Sequence, residues 1–187
     1  MDSALFDFAE AAMGKNTAMT WSLSADVLRR QVAPVFARCA NGDLSSDEAL
    51  SVAMDFVAAR VTTMLDVFSE LFETLNDRID VQMHGEDFPA LTELEEFFLG
   101  LNSESQWAID SKITARELKT LFEKVARGEY SARTGVCVFC DTIMSKKDYY
   151  LTLIHGMCLR LTEQILAAKK AQESTGPERT ANGNGND

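Results

Sequence analysis

A length of 187 residues, with 46% hydrophobic and 25% charged residues, fits one soluble globular domain and argues against a disordered chain. No apolar run approaches the roughly 18 residues that a membrane span requires. The amino-terminal segment MDSALFDFAEAAMG carries acids where a secretory signal carries bases. We therefore expect a protein that is cytoplasmic, or nuclear if the source is eukaryotic, and neither secreted nor embedded in a membrane. In that setting, four cysteines indicate metal ligands or buried thiols rather than disulfides.

The formal net charge of −11 is distributed unevenly along the chain. Residues 1–110 hold 6 basic and 20 acidic side chains, residues 111–170 hold 11 and 6, and residues 171–187 hold 1 and 3. We therefore predict an acidic helical bundle region at 1–110, a basic helical part at 111–172 and a disordered tail at 173–187. Two explanations remain open: the acidic and basic parts attract each other within one fold, or the basic part binds phosphate or an acidic partner.

Helical periodicity dominates from end to end, and no stretch alternates apolar and polar residues long enough to predict a strand, so we expect an all-α fold. The first helix is predicted at about residues 3–13 and is followed by a loop, KNTAMT. Its expected inner side carries Leu5, Phe6, Ala9 and Met13. The second helix covers about residues 24–40, with Ser24 as its N-cap and Pro34 as a point where it bends or divides.

The clearest helix pattern covers about residues 46–79, after a capping box formed by Ser45 and Glu48. Apolar residues recur in it at intervals of seven. One series is Leu50, Val57, Met64 and Leu71, and the other is Met54, Val61, Phe68 and Leu75. This seam predicts a helical bundle with one long spine helix. We expect either a partner helix from residues 89–127 alongside it, or a homodimer contact through Met64, Phe68, Leu71 and Leu75.

Three further helices are predicted after the segment MHGED, in which His84 is expected in an exposed loop. The first begins at Pro89 and ends near residue 101. Its expected inward residues are Leu91, Leu94, Phe97, Phe98 and Leu101. The second follows a connector, NSESQ, and runs from a capping box at Thr114 and Glu117 to about residue 127. The third begins at a cap formed by Ser145 and Asp148 and ends near residue 171.

Three of the four cysteines and one of the two histidines lie within residues 137–158, in the pattern C-x2-C-x14-H-x2-C. Thiolate and imidazole are the ligands that zinc prefers, and a CxxC turn supplies two ligands from one loop. We therefore predict one zinc ion bound by Cys137, Cys140, His155 and Cys158, which would stabilise the helical C-terminal part. A straight helix would hold Cys140 and His155 about 22 Å apart, so this site requires the chain to reverse around residues 141–147.

Two other interpretations of this cluster remain open from the sequence. In one, Cys158 is a core thiol, His155 lies at its flank and the CxxC segment is an apolar loop. In the other, Cys137 and Cys140 form a redox-active dithiol, although the four residues after Cys140 include no histidine that could relay a proton. Cys39 lies apart from the cluster, and burial is its expected role.

No pattern for a nucleotide-binding loop, a serine hydrolase or a zinc protease occurs in the chain. The long helix carries acids at Glu70, Glu73, Asp77 and Asp80. A di-iron site would also need Glu-x-x-His partners, and the residues three before the two histidines are Val81 and Thr152. We therefore expect these acids to form a solvated face.

These observations predict a non-enzymatic, zinc-binding helical protein with a regulatory or adaptor role, for example in transcription. It would act by binding another macromolecule. The alternatives are a CxxC thiol oxidoreductase on an α bundle and a structural or assembly subunit that uses the long helix. A protein partner is expected, and nucleic acid is a further candidate for the basic part. The side chains expected to contact phosphate are Lys112, Arg116, Lys119, Lys124, Arg127, Arg133, Lys146 and Lys147.

Overall fold

The computed structural model describes residues 3–15, 24–83 and 86–175. These residues form seven α-helices and no strand, which confirms the all-α prediction for the described part of the chain. The helices are α1 (Ser3–Ala12), α2 (Ala25–Ala40), α3 (Ser46–Met83), α4 (Pro89–Phe98), α5 (Ser103–Ile109), α6 (Ser111–Ala126) and α7 (Ala132–Thr175). The predictions for the loop at 16–20, for His84 and for the tail from residue 176 onward lie outside the described residues.

The predicted caps of α2 and α3 are confirmed. Ser24 accepts a hydrogen bond from the backbone N–H of Val27 at the start of α2. Ahead of α3, the Ser45 backbone N–H donates to Glu48 Oε2 at 2.9 Å, and the Glu48 N–H donates to Ser45 Oγ at 3.3 Å. The Ser45 hydroxyl also donates to Glu48 Oε2 at 2.7 Å, and this bond, together with the one from the Ser45 backbone N–H, lowers the pKa of Glu48. Pro34 is exposed within α2, and the helix continues past it without dividing.

The long spine helix is confirmed, and its apolar seam is buried within the chain. Met54, Val57, Met64, Phe68 and Leu75 are all buried. Because three of the four proposed dimer residues are among them, that surface is not free to pair with a second copy. The alternative of a partner helix is confirmed, since α6 lies alongside α3. At about 1.5 Å per residue, α3 is on the order of 57 Å long.

Two hydrophobic cores share the two long helices. The first core joins α2 and α6 to the amino-terminal parts of α3 and α7, and its largest side chains are Phe36, Phe122 and Phe139. The second core joins α1, α4 and α5 to the later parts of α3 and α7, and its largest side chains are Phe8, Phe68, Phe97 and Tyr150. Both cores take residues from before and after residue 110, and α3 and α7 pass through them in the same order.

The most important difference from the sequence prediction lies in α7, which is one uninterrupted helix of 44 residues. Its cap is Ser131, whose Oγ accepts from the Thr134 N–H at 3.1 Å, whereas Ser145 is an exposed residue inside the helix. The predicted chain reversal at 141–147 is therefore wrong. The segment contains no Gly or Pro to end the preceding turns, and Thr142 satisfies its hydroxyl by donating to the Val138 carbonyl at 2.8 Å.

Smaller corrections concern caps and inward faces. The segment NSESQ is part of α5, which Asn102 caps by accepting from the Glu104 and Ser105 N–H groups. Helix α6 starts earlier than predicted, because Asp110 is its N-cap and Thr114 is buried within it. Three residues that were expected to face inward are exposed, namely Phe6, Met13 and Leu101. Among the described residues, no helix is both long and apolar enough to cross a membrane.

Candidate functional site

The four predicted zinc ligands form two pairs on α7, Cys137 with Cys140 and His155 with Cys158, and the members of each pair are about one helical turn apart. Cys140 and His155 are fifteen positions apart on one continuous helix, a distance of about 22 Å along the axis. Cys140 is buried in the first core and Cys158 in the second, while Cys137 is exposed. A single metal ion could not reach all four side chains in this structure. In residues 3–15, 24–83 and 86–175, no group of three or more His, Cys, Asp or Glu side chains could hold a metal ion. Zinc binding stays a prediction without structural support.

Two thiols of the predicted cluster, those of Cys140 and Cys158, have the properties of core side chains. Burial raises the pKa of Cys140 and raises the pKa of Cys158 to about 12. Cys140 is therefore a buried thiol of the first core, and the redox-active dithiol stays a prediction. Cys39 is buried as expected, with its Sγ 3.8 Å from the carbonyl oxygen of Phe122.

Most of the basic side chains predicted to contact phosphate interact within the chain. Lys119 pairs with Asp47 at 3.4 Å, Arg127 with Glu129 at 2.7 Å, and Lys147 with Asp148 at 3.7 Å. The Lys124 ammonium lies 5.1 Å from the centre of the Tyr130 ring. Lys112, Arg116 and Arg133 are exposed. Among these four contacts only Lys119–Asp47 joins two helices, and phosphate contact stays a prediction.

Lys146 differs from the other basic residues because it is only 3% exposed. Its Nζ donates to the Trp107 carbonyl oxygen at 3.0 Å and pairs with Glu117 Oε2 at 2.9 Å. The same Nζ lies 3.7 Å from the centre of the Trp107 ring, which also packs edge-on against Tyr149 with ring centres 5.4 Å apart. A buried ammonium needs such partners to offset its lost hydration. Lys146 thus fastens α5 and α6 onto α7.

Beside Lys146 lies a half-enclosed cavity of about 160 Å³ at the boundary between the two cores. Val57 and Ile143 of the first core line it, together with Met64 and Tyr150 of the second. Residues from the junction of α5 and α6 close another side, including Ala108, Ile109, Ser111 and Thr114. The cavity therefore lies between the two long helices and the short helical segment that Lys146 holds in place.

Tyr150 borders this cavity and carries an unusual polar group, a hydroxyl that is buried away from solvent. The side chain is fully buried, and its Oη has no hydrogen-bond partner among the described residues. Its ring packs against Phe97 with centres 4.8 Å apart and against Phe68 at 6.4 Å. Burial raises the pKa of Tyr150, so the hydroxyl stays protonated and can donate a hydrogen bond. An unpaired buried hydroxyl is costly, and such groups call for a specific explanation.

The sequence-based prediction placed Lys146 on a basic surface, gave Glu117 a capping role with Thr114, and assigned no role to Trp107 or Tyr150. A usable signal was present, because Phe139, Ile143, Lys146, Tyr150 and Ile154 follow one another at helical intervals of three and four. A lysine inside such an apolar series indicates a buried cation with partners on adjacent elements. The prediction of a helix start at Ser145 concealed this series by dividing it.

The acidic face predicted on α3 is confirmed as solvent-exposed. Asp66, Glu70, Glu73, Asp77 and Asp80 are spaced by four, three, four and three residues, so they form one stripe along the helix, and all five are exposed. The stripe is about 21 Å long. None of its members forms an ion pair with another described residue.

Comparison with known proteins does not assign this chain to a class. No family model, no curated protein sequence and no solved structure matches it.

Proposed function

We propose that this protein is a non-enzymatic helical adaptor or regulatory protein that binds a protein partner with a basic surface. The observation that carries the proposal is the stripe of five exposed carboxylates on α3. Five of the eight basic residues considered above engage acidic or aromatic groups of the same chain, whereas the five carboxylates of the α3 stripe have no described partner of opposite charge.

The α3 stripe suits a macromolecular partner because the scaffold holds it rigidly. The opposite side of the helix carries Met64, Phe68, Leu75 and Ile79 into the second core. The carboxylates are consequently presented at fixed spacing, and a surface with matching basic groups would gain electrostatic steering without first ordering this helix. A net charge of −11 adds a long-range attraction for basic partners and a repulsion of nucleic acid.

The proposal is tested with two synthetic helical peptides of equal length and charge. In one peptide, lysines follow the three-and-four spacing of the stripe, and in the other the same residues are scrambled. We expect the matched peptide to bind more tightly, with an affinity that falls as salt is added. Random-sequence duplex DNA serves as the second probe, and we expect no binding to it at about 50 mM salt.

Variants separate a specific surface from the effect of net charge. The triple variant Glu70→Gln, Glu73→Gln, Asp77→Asn removes three charges from the stripe. The matched control, Asp87→Asn, Glu95→Gln, Glu96→Gln, removes three exposed charges near and on α4. We expect only the stripe variant to lose its preference for the matched peptide. If the two triple variants lose the same affinity, or if the two peptides bind equally well, then binding depends only on net charge and the proposal is wrong.

Duplex DNA binding would favour the nucleic-acid alternative instead. Such binding should then weaken when Lys112, Arg116 and Arg133, the three exposed basic residues considered above, are replaced by glutamate. Lys146→Glu is not informative in that test, since it would place a second acid beside Glu117 in a buried position.

A further inference from the structure

We propose that Asn41 is a deamidation site whose rate is set by the opening of the turn between α2 and α3. This site is separate from the acidic stripe on α3, and it does not depend on the function proposed above. Three features support it: the Asn41–Gly42 pair itself, the hydrogen bonds of the turn and the backbone angles that these hydrogen bonds maintain.

The sequence supplies the reactive pair. In deamidation, the backbone nitrogen of the following residue attacks the side-chain carbonyl carbon of asparagine, and a glycine at that position has no Cβ to obstruct the approach. Here the Gly42 nitrogen forms a bond to Asn41 Cγ, the Cγ–Nδ2 bond breaks, and the proton of the Gly42 N–H leaves with the side-chain nitrogen as ammonia. Water then opens the succinimide ring and leaves aspartate or isoaspartate in place of Asn41.

Both reacting residues are accessible to water. Asn41, Gly42 and Asp43 are exposed, and a Cβ atom added to Gly42 would meet nothing within 4 Å. Packing by other parts of the chain therefore does not shield this turn. Protection of Asn41 has to come from the conformation of the backbone.

The backbone of the folded turn opposes ring closure. The Gly42 N–H donates to the Cys39 carbonyl at 3.2 Å, and the Asp43 N–H donates to the Arg38 carbonyl at 2.8 Å. With a φ of +79° at Gly42, these bonds form a Schellman motif at the end of α2. The ψ of −7° at Asn41 eclipses the Gly42 nitrogen with the Asn41 backbone nitrogen, whereas ring closure requires it to be eclipsed with Cβ. Rotation to the reactive angle breaks both hydrogen bonds, so the turn must open first.

Deamidation would weaken the same turn that controls it. Both products carry a carboxylate at the C-terminal end of α2, where the helix dipole is negative. Isoaspartate also lengthens the main chain by one carbon atom, so the two hydrogen bonds of the turn cannot re-form with the same geometry. The modification is irreversible and accumulates with the time that the turn spends open.

The experiment incubates the full chain at neutral pH, with and without guanidinium chloride, and follows Asn41 by peptide mapping with mass spectrometry. Asn182 and Asn184 also precede glycine, so the mass of the whole chain would not report Asn41 alone. We expect Asn41 to react at least about tenfold faster in the unfolded chain, because local opening limits the reaction only in the folded one. Equal rates in the two states, or no reaction in the unfolded chain, would overturn the proposal.

Leu44→Ala tests whether this turn sets the rate. The Leu44 N–H also donates to the Arg38 carbonyl, at 3.3 Å, and the Leu44 side chain packs against the first core. Loss of that packing should loosen the turn and speed the reaction of Asn41 severalfold in the folded chain, with no change in the unfolded chain. An unchanged rate in the folded variant would show that another motion controls Asn41.

Arg127→Asn is a matched test of the turn geometry at an exposed position. Arg127 ends α6 with a ψ of −1°, Gly128 has a φ of +73°, and the Gly128 N–H donates to the Val125 carbonyl at 3.0 Å. The variant therefore creates a second Asn–Gly pair in the same kind of turn, and we expect the same slow reaction in the folded chain. Equal rates at position 127 in the folded and unfolded chains would show that this turn does not protect asparagine. The test remains decisive if Leu44→Ala does not fold.

Discussion

Gly135 illustrates how one missing side chain governs helix packing in the first core. A Cβ atom at this position would lie 2.6 Å from Phe36 Cδ1 and 2.8 Å from Val125 Cγ2, so α2 and α6 both approach the α7 backbone there. Gly156 lies in the same helix, but a Cβ added to it would meet only the end of Arg160, at 3.9 Å. The two glycines therefore have different roles, since only Gly135 permits a close approach.

The first prediction compares Gly135→Ala with Gly156→Ala. Both changes gain the same helix propensity, up to about 1 kcal/mol, so Gly156→Ala should stabilise the protein slightly. Gly135→Ala should lower the free energy of unfolding by about 1–3 kcal/mol, because the added methyl group forces Phe36 and Val125 to move. Urea unfolding followed by circular dichroism measures both values. Similar effects of the two substitutions would contradict the packing described at Gly135.

The second prediction concerns alkaline pH. The pKa of the Cys158 thiol is 9.0 when it is solvated, and burial raises it to about 12 in the folded protein. Above pH 9 the unfolded chain loses this proton while the folded protein keeps it, so the free energy of unfolding should fall as pH rises from 9 towards 12. A single group contributes at most about 1.4 kcal/mol per pH unit in this window.

Chemical unfolding at several pH values between 8 and 11 tests this pH dependence. Cys158→Ala should give a shallower decline than the unmodified chain, because the group responsible for part of the slope is gone. Cys137→Ala is the matched control, since it removes a thiol that is exposed in the folded protein as well. An unchanged slope in Cys158→Ala would show that the thiol is not protonated in the folded state as described.

At the scale of the helices, the continuity of α7 is the feature that most changes the interpretation of the sequence. The third prediction uses Ser145→Pro. In a continuous helix the proline removes a backbone hydrogen bond and clashes with the preceding turn, so the free energy of unfolding should fall by about 3 kcal/mol or more. After a chain reversal Ser145 would be the N-cap of the helix, and the same substitution would cost only the serine cap, about 1 kcal/mol.

Ser145→Ala is the control for this prediction, because it keeps the backbone N–H and should be neutral or slightly stabilising in a helix. Thermal unfolding of both variants, with metal content measured on the same samples, gives the comparison. Tolerance of the proline together with one bound zinc per chain would restore the reversal and the four-ligand site. A large loss of stability with the proline alone would confirm the uninterrupted helix.

The helices differ in how well they can be predicted from the sequence. The seam of α3 was predictable because Met64, Phe68 and Leu75 repeat over many turns and the capping box at Ser45 marks the start. The short α5 was not predictable from periodicity, since seven residues make too few turns to define a face. Ser145 and Asp148 have cap spacing, but nothing ends the helix before them. An N-cap pattern marks a boundary between two helices only when a helix-ending residue, such as Gly or Pro, precedes it.

The candidate site depends on contacts between different helices. The sequence therefore predicted a different site. Cys140 and Cys158 were grouped by their chemical type, although helix geometry separates them. Lys146 was grouped with exposed lysines, although its partners Trp107 and Glu117 come from two other helices. The burial of Lys146 has a local pattern, but the identity of its partners and the cavity beside it do not, because both arise where three separate segments meet.

At the scale of the whole molecule, the two cores are joined by α3 and α7. Neither long helix has a break between its first-core and second-core parts, and the cavity lined by Tyr150 lies at the boundary. Loss of one core would leave half of each long helix with an exposed apolar face. Such half-helices are marginally stable alone, so unfolding of either core should destabilise the other.

The fourth prediction is that the described helices unfold in one cooperative transition. Phe122→Ala removes a fully buried ring that stacks on Phe36 in the first core, with ring centres 4.5 Å apart, and should cost about 3–5 kcal/mol. Leu94→Ala removes a fully buried side chain of the second core and should cost about 2–5 kcal/mol.

Amide hydrogen exchange is then measured in α2, which belongs to the first core, and in α4, which belongs to the second. If the cores are coupled through α3 and α7, Phe122→Ala will reduce protection in α4 as well as in α2, and Leu94→Ala will do the same in reverse. If each variant reduces protection only in its own core, the long helices connect two independent folding units, and the boundary cavity would open whenever either unit does.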